Sequence, residues 1–409
     1  MRRLSWENFA ALPRHLTSDQ RRTASIAAVT HALHDGYTDL IYIMLPLWQA
    51  EFGLDYAALG VLRSVFVGAM ASMQIPAGLL SERIGAAFVL ALGTALAGLG
   101  YCLAGTGSGF TMLLGALFIG GIGASAQHPV ASALVARAFA GPRSLTALGT
   151  YNFAGDIGKM IVPATLSLML LAMAWRPALA ILGSLGFVLA VVIFIVTPRY
   201  GHESVAETHA EAKPVAVTAP QPSAFPLLVA IGIIDSATRM GFLLFLPFVL
   251  KDKGASVQTI GLALTLVFAG GAAGKLACTF IGARIGAIGT VWLTEGLTAV
   301  GILALAPLPL GAAMVLLPLI GIALNGTSSV LYGSVPALVA PKSRTRALSI
   351  FYTGTIGSGA IAPTLYGLVG DTFGVWKALA LVAVMVLLTL PLSALLRPAL
   401  PRGHGPRVA

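Results

Sequence analysis

The sequence predicts an all-α membrane protein, twelve transmembrane helices arranged as two pseudo-symmetric six-helix bundles. Three observations predict it. The 409-residue chain is 57% hydrophobic and only 10% charged, against about 25% charged in soluble domains. Glu82-Arg83-Ile84-Gly85-Ala86 returns as Ala283-Arg284-Ile285-Gly286-Ala287, 201 positions later, each copy lying between long apolar stretches. A spanning helix needs about 20 mostly apolar residues, so this length suits about a dozen spans with short connections. Two similar halves facing each other across a bilayer make the architecture of alternating access, which points to a transporter rather than an enzyme.

The elements follow in order. Residues 1–23 are polar and basic, without the apolar core or small-residue cleavage site of a signal peptide, so the first span serves as its own insertion signal. Spans are expected at 24–46, 57–80, 86–104, 110–139, 145–172 and 177–197, an N-terminal bundle over 24–197. Residues 198–224 hold Pro198, Pro214, Pro220 and Pro222 among His202, Glu203, Glu207, His209, Glu211 and Lys213. Too polar to bury and punctuated by proline, they read as a linker. Spans at 225–250, 256–281, 287–306, 311–338, 345–370 and 375–396 make a C-terminal bundle over 225–396, and 397–409 form a tail.

Charge orients the whole. The N-terminus, the even-numbered connections and the C-terminus carry 17 of the 25 Lys and Arg residues. By the positive-inside rule both termini and the linker are cytoplasmic, and an even span count puts the termini on one side; short loops and the absence of a targeting peptide suit a bacterial inner (plasma) membrane. This distribution also argues against nucleic acid as the partner of a net charge of +10. Cys102 and Cys278 fall inside apolar segments and read as packing residues. Gly115, Gly120, Gly121 and Gly123 are spaced for close helix contact in span 4.

The repeated loop carries a resemblance. Gly78 to Leu90, "GLLSERIGAAFVL", resembles the loop between spans 2 and 3 of the major facilitator superfamily, Gly-x-Leu-x-Asp-Arg-x-Gly-Arg-Arg. Gly78, Leu80, Glu82, Arg83 and Gly85 fit, whereas Ala86 and Ala87 stand where that family has a basic pair. The second copy keeps Arg284 and Gly286 but has Ala283 at the acidic position. Gly121 to Phe139, with His128-Pro129, and the "LPLWQAEFGLDYAALGVL" region after span 1 are similar to the fosmidomycin-resistance group of exporters. Span 5 partly matches an antiporter motif through Gly149, Gly158 and Pro163, with Val162 replacing a glycine and Thr165-Leu166 filling its final pair. The resemblance implies the major facilitator fold, with spans 1, 4, 7 and 10 lining a central cavity.

An ionisable group in hydrocarbon costs at least about 2.5–3.5 kcal/mol, so every intramembrane charge is a functional candidate. Span 1 is densest, with His31, His34, Asp35 and Asp39 at i,i+3 and i,i+4 spacing on one face. These four are the expected proton-coupling groups, with Asp35 as the carrier. The alternatives are a fixed ion pair holding spans together, and a transition-metal site of His31, His34, Asp35 and His128. Asp156 and Lys159 are expected to neutralise each other across i,i+3. Arg239 is read as a clamp for an anionic group or as the partner of Asp235 or of a span 1 carboxylate. Arg63 and Lys275 face the bundle or snorkel, and Glu295 is expected to pair with Lys275. Substrate contact is expected from His128, Asp235, Arg239, Asn152 and Tyr352. Gln127, Tyr151, Asn325, Tyr332 and Tyr366 are open to substrate contact or interhelical bonding. Pro46, Pro76, Pro129, Pro163, Pro247, Pro336 and Pro363 are expected to kink their helices. Glu82, Arg83, Arg137 and Arg284 form the expected inner gate, with Glu82–Arg137 closing it in the outward-facing state.

No Walker sequence, Gly-x-Ser-x-Gly or His-Glu-x-x-His occurs, so neither ATP-driven pumping nor hydrolytic chemistry is indicated, and no cofactor is implied. The leading expectation is a proton-coupled exporter of a small organic molecule, anionic by the Arg239 reading, acting as a monomer in the bilayer. A proton-coupled uptake symporter and a transporter of a metal or metal chelate are the alternatives.

Overall fold

The computed structural model describes residues 16–139, 143–198, 222–340 and 343–400. Expectations for most of the N-terminal segment, the linker and the tail, including Arg2, Arg3, Arg14, Lys213, Arg402 and Arg407, therefore lie outside the described residues.

Twelve helical segments follow in order: α1 Ser18–Phe52, α2 Tyr56–Ile84, α3 Ala86–Gly105, α4 Phe110–Ala138, α5 Arg143–Met169 and α6 Trp175–Val196 form one half. In the other half, Phe225–Asp252 is α7 and the run Val257–Ala304 holds α8 and α9, divided at Gly286. Leu310–Leu338 is α10, Arg344–Phe373 is α11 and Val375–Leu395 is α12. Nine of the described helices are long and apolar enough to cross a membrane. The others, α1, α5 and α11, are of 35, 27 and 30 residues and fall short through polarity rather than length. α1 carries Asp35 and Asp39 and α5 carries Asp156 and Lys159, and α11 is rich in Gly, Ser and Thr.

The internal repeat is written in the backbone. Gly53 (φ 61) and Gly254 (φ 85) end α1 and α7 in the left-handed region, where a side chain would be strained. Two residues on, Asp55 and Ser256 cap the next helix by accepting from the backbone N–H of Ala58 (2.7 Å) and Thr259 (3.2 Å). Gly85 (φ 96) and Gly286 (φ 77) turn the chain in the two copies of the repeated loop. Ends set by such caps explain why α1 outruns its apolar span. Thr17 and Gln20 form a capping box before it, in polar sequence that hydropathy cannot register.

Packing places α1 and α7 at the centre. Leu40 to Leu45 of α1 and Phe242 to Leu250 of α7 are buried at every position, as for a helix enclosed on all sides. By contrast, α6 turns Leu185, Val188, Val191 and Ile195 outward, an apolar face suited to lipid. Glycine permits the tightest crossings: a Cβ at Gly158 of α5 would collide with the Ala32 carbonyl of α1. Gly120, Gly121 and Gly123 do abut α2 or α3, whereas Gly115 meets nothing. Cys102 and Cys278 are free and fill space against Gly183 and Gly326.

Contacts between the halves cluster at mid-depth and toward the side remote from where α1 begins and α12 ends. There Asp371 of α11 accepts from the Tyr56 and Ala57 N–H groups of α2 at 2.7 and 2.9 Å. Ser64 meets Thr364 at 2.9 Å, Gln258 donates to the Ser167 carbonyl, and Tyr42 donates to Met240. Toward the opposite side, Ile75, Leu79, Phe153, Leu276 and Ile350 are exposed. Among the described residues the polar links between the halves thus lie at mid-depth and on the remote side, and none joins them on the other, the open side.

Candidate functional site

Three helices, α1, α4 and α5, build one cluster around the span 1 histidines. His31 of α1 stacks on Tyr151 of α5, with ring centroids 4.0 Å apart, and its Nδ1 lies 2.8 Å from the Tyr151 carbonyl oxygen. A carbonyl only accepts, so Nδ1 carries the hydrogen and Nε2 is left as the second ring nitrogen. That Nε2 is buried without a hydrogen-bond partner, 3.4 Å from Asp35 Oδ1. His34 Nε2 is likewise unpartnered, 3.9 Å from the same oxygen.

His128 reaches the cluster from α4, its ring edge-on to both: centroids lie 5.3 Å from His31 and 5.0 Å from His34. It does so on a wide π-helical turn, Gln127–Ala131, which includes Pro129. Proline has no N–H to donate to the preceding turn, and the helix opens at that place. Gln127 donates to the Thr30 hydroxyl at 3.1 Å, tying the turn to α1.

Gly155 makes the cluster possible. A Cβ there would stand 2.6 Å from Asp35 Oδ2 and 2.8 Å from the His31 ring. The sequence reading missed this residue, since among 47 glycines nothing local marks the one that faces a carboxylate.

Charges continue from the cluster toward the other half. Lys159 Nζ lies 3.3 Å from Asp35 Oδ2 and 4.0 Å from Asp156 Oδ1. The expected Asp156–Lys159 pair is therefore present, but each member has a closer partner. For Asp156 that partner is Lys275 of α8, whose Nζ lies 2.6 and 2.8 Å from its two oxygens. This bridge crosses from one half to the other. It also corrects the expected Glu295–Lys275 pair: α9 directs Glu295 to Asp235 and Thr327 instead. Lys275 is thereby bundle-facing and bonded to the other half rather than snorkelling.

Asp39 stands apart from the histidines. Arg63 of α2, fully enclosed, places Nη2 3.5 Å from Asp39 Oδ1, donates to the Tyr42 hydroxyl and Thr38 carbonyl at 3.0 Å, and lies over the Tyr42 ring. Arg63 is also bundle-facing. On α7, Arg239 Nη2 donates to Asp235 Oδ2 at 2.8 Å and to Ser328 at 3.1 Å, while its Nε is buried without a partner. Lys275 is near enough to Lys159 and Arg239 for their charges to interact.

The remaining candidates fall outside this network. Asn152 is exposed, and Tyr352 is half-exposed with its ring 4.9 Å from that of Tyr332. Glu82, Arg83, Arg137 and Arg284 are all exposed on the open side, and among the described residues no ion pair joins Glu82 to Arg137. Donor atoms of His31, Asp35 and His128 lie within 4.8 Å of one another, near enough to share a metal ion. Lys159, however, sets a positive charge 3.3 Å from the other oxygen of Asp35, which opposes a divalent cation there.

The model described as Major Facilitator Superfamily matches residues 27–234 and 227–408. The chain is 26% identical to the probable sulfoacetate transporter of Cupriavidus necator, over 80% of this chain and 82% of that one. It is 28% identical to the fosmidomycin resistance protein of Escherichia coli, over 33% of each chain. Among solved structures, an inward-facing, occupied bacterial homolog of the human lysosomal transporter Spinster superposes with a TM-score of 0.78. That match covers 94% of this chain and 98% of the other at 16% identity, a likeness of fold.

Proposed function

The chain belongs to the Major Facilitator Superfamily, and from that premise we propose that it is a proton-coupled secondary transporter of a small organic anion. It works by alternating access, as a single chain in an inner (plasma) membrane with both termini cytoplasmic. The observation that carries this reading is the vacant His31 Nε2 beside Asp35, whose other oxygen holds Lys159. A proton arriving between His31 and Asp35 cancels the negative charge that Lys159 answers. The ammonium, 28% exposed, is then released toward the cavity and toward an incoming anion. Proton and anion favour each other's binding, a coupling that must be reciprocal.

Across the cavity Arg239 offers the unpartnered Nε–H, and a guanidinium takes a carboxylate, sulfonate or phosphonate through two parallel bonds. Sulfoacetate and fosmidomycin, the compounds in the names of the two relatives, are small organic anions of this kind. His128 orients the cluster, Asp235 holds Arg239 until substrate arrives, and Asn152 and Tyr352 line the entry on the open side. Asp39, paired with Arg63, fixes α1 to α2. Arg83 and Arg284 guard the cytoplasmic gate, which Glu82 and Arg137 close in the outward-facing state.

Cooperative binding favours proton and anion travelling together. Export in exchange for protons is the second reading, supported by the similarity to the fosmidomycin resistance protein. Proteoliposomes with purified protein decide between them, with sulfoacetate and fosmidomycin as probes and proton flux followed in wild type and Asp35→Asn. Proton flux in the anion's direction supports co-transport, and opposite flux supports exchange; Asp35→Asn abolishes either. Anion flux without proton movement, unchanged in Asp35→Asn, would sink the coupling and leave Asp35 a structural partner.

A further inference from the structure

The C-terminal half contains a second group of buried acids whose hydrogen bonds do not close without an additional proton. Asp235 and Glu295 are 3% and 1% exposed, and their carboxyl groups lie within hydrogen-bonding reach of each other. Two carboxylates offer only acceptors, so a bond between them needs a proton on one.

The hydroxyls around Glu295 do not supply it. Thr294 donates to the Thr290 carbonyl at 2.8 Å, and Thr327 donates to the Thr294 hydroxyl at 2.6 Å. The single O–H of Thr327 is shared between the Thr294 hydroxyl and Glu295, and it does not bridge the two carboxyl groups. Glu295 Oε1 has no hydrogen-bond partner at all. The charged groups facing this carboxyl are Asp235 and Arg239, both of α7, while Lys275 of α8 is bonded to Asp156. Arg239 in turn donates to Asp235 and to Ser328.

Charge counting agrees. Away from the helix ends, where Arg176 and Arg344 lie, the spans bury or half-bury five acids, Asp35, Asp39, Asp156, Asp235 and Glu295, against four cations, Arg63, Lys159, Arg239 and Lys275. One negative charge is left without an answering cation in a medium where that is costly.

We infer that Asp235 and Glu295 form a second proton-binding site, one proton being held on Glu295 and shared with Asp235. Arg239 then balances Asp235 alone. Loss of the proton leaves two carboxylates to hold the guanidinium, so this site sets how readily Arg239 turns to the cavity. The site goes beyond the His31–Asp35 reading and stands on other helices, sharing with the proposed function only Asp235 and Arg239.

Infrared difference spectroscopy of the full chain in lipid nanodiscs tests this at neutral pH, with exchange into heavy water. Wild type is expected to show the deuterium-sensitive carbonyl stretch of a protonated carboxyl. Both Glu295→Gln and Asp235→Asn should lose it, because either amide supplies the N–H that replaces the shared proton; each variant is nearly isosteric, and one that folds suffices. Asp35→Asn should keep the band. A wild type without the band, or a band that survives Glu295→Gln and Asp235→Asn, would overturn the proposal. The readout requires no transport, so failure of the anion-transport reading leaves it standing.

Discussion

Single residues set the terms of this molecule, because each buried charge must find its partner within a few ångströms. Arg63 is the clearest case. Removing it strands Asp39 in an enclosed site, and breaking a buried pair costs about 3–5 kcal/mol. Arg63→Ala is therefore expected to lower the free energy of unfolding in detergent by that much. The double variant Arg63→Ala/Asp39→Ala should recover part of the loss; a loss as large as or larger than that of Arg63→Ala would refute the pairing. Gly155 is the converse case, where absence of a side chain matters. Gly155→Val would push into Asp35 and the His31 ring, at an overpacking cost of about 1–3 kcal/mol. Substrate-evoked proton movement should disappear while circular dichroism stays helical. Coupling as strong as wild type would show that the cluster tolerates displacement. At the rim, burial pushes the Glu51 carboxyl up, but the Trp175 indole and Arg176 guanidinium together hold it below the usual carboxylate range.

At the scale of elements, the membrane helices are interrupted where function is concentrated. The π-helical turn at Gln127–Ala131 sets His128 edge-on to two other histidines, something a regular helix through Pro129 cannot maintain. Pro129→Ala restores the missing N–H. It is expected to straighten α4 and to withdraw His128 from the cluster, which chemical shifts of the His128 ring would report. An unchanged His128 environment would assign the turn to the surrounding packing rather than to proline. The other prolines expected to kink helices, Pro46, Pro76, Pro163, Pro247, Pro336 and Pro363, all lie inside helices.

For the molecule as a whole, the balance between the two halves is held by few polar links. Asp371 accepts from the first two N–H groups of α2, where the helix dipole favours an anion, and so clasps the remote side. Hydrogen bonds to a charged group are worth about 1.5–3 kcal/mol. Asp371→Ala should thus shift the population away from this closure about tenfold or more. Distances between spin labels on α2 and α11 would register it, and an unaltered distribution would place the closure in the apolar packing of Gly60 and Gly367. Lys275 and Asp156 add a mid-depth link between the halves. Lys275→Gln is expected to loosen that link without unfolding either half, because Lys159 remains 4.0 Å from Asp156.

Composition and repetition by themselves determined the class, the twelve helices and the halves. Hydrocarbon demands long apolar helices, and a duplicated chain repeats its turns, as Gly53 with Gly254 and Gly85 with Gly286 attest. The sequence also identified nearly every buried charge, since charge is conspicuous in apolar runs. Partners were another matter. Spacing relates residues on one helix, and it found His31–Asp35 and Asp235–Arg239. It could not place Lys159 against Asp35, Lys275 against Asp156, Arg63 against Asp39 or Glu295 against Asp235. Those pairings depend on which helices abut and at what depth, and close approach at glycines such as Gly155 and Gly158 decides that only when the bundle has packed.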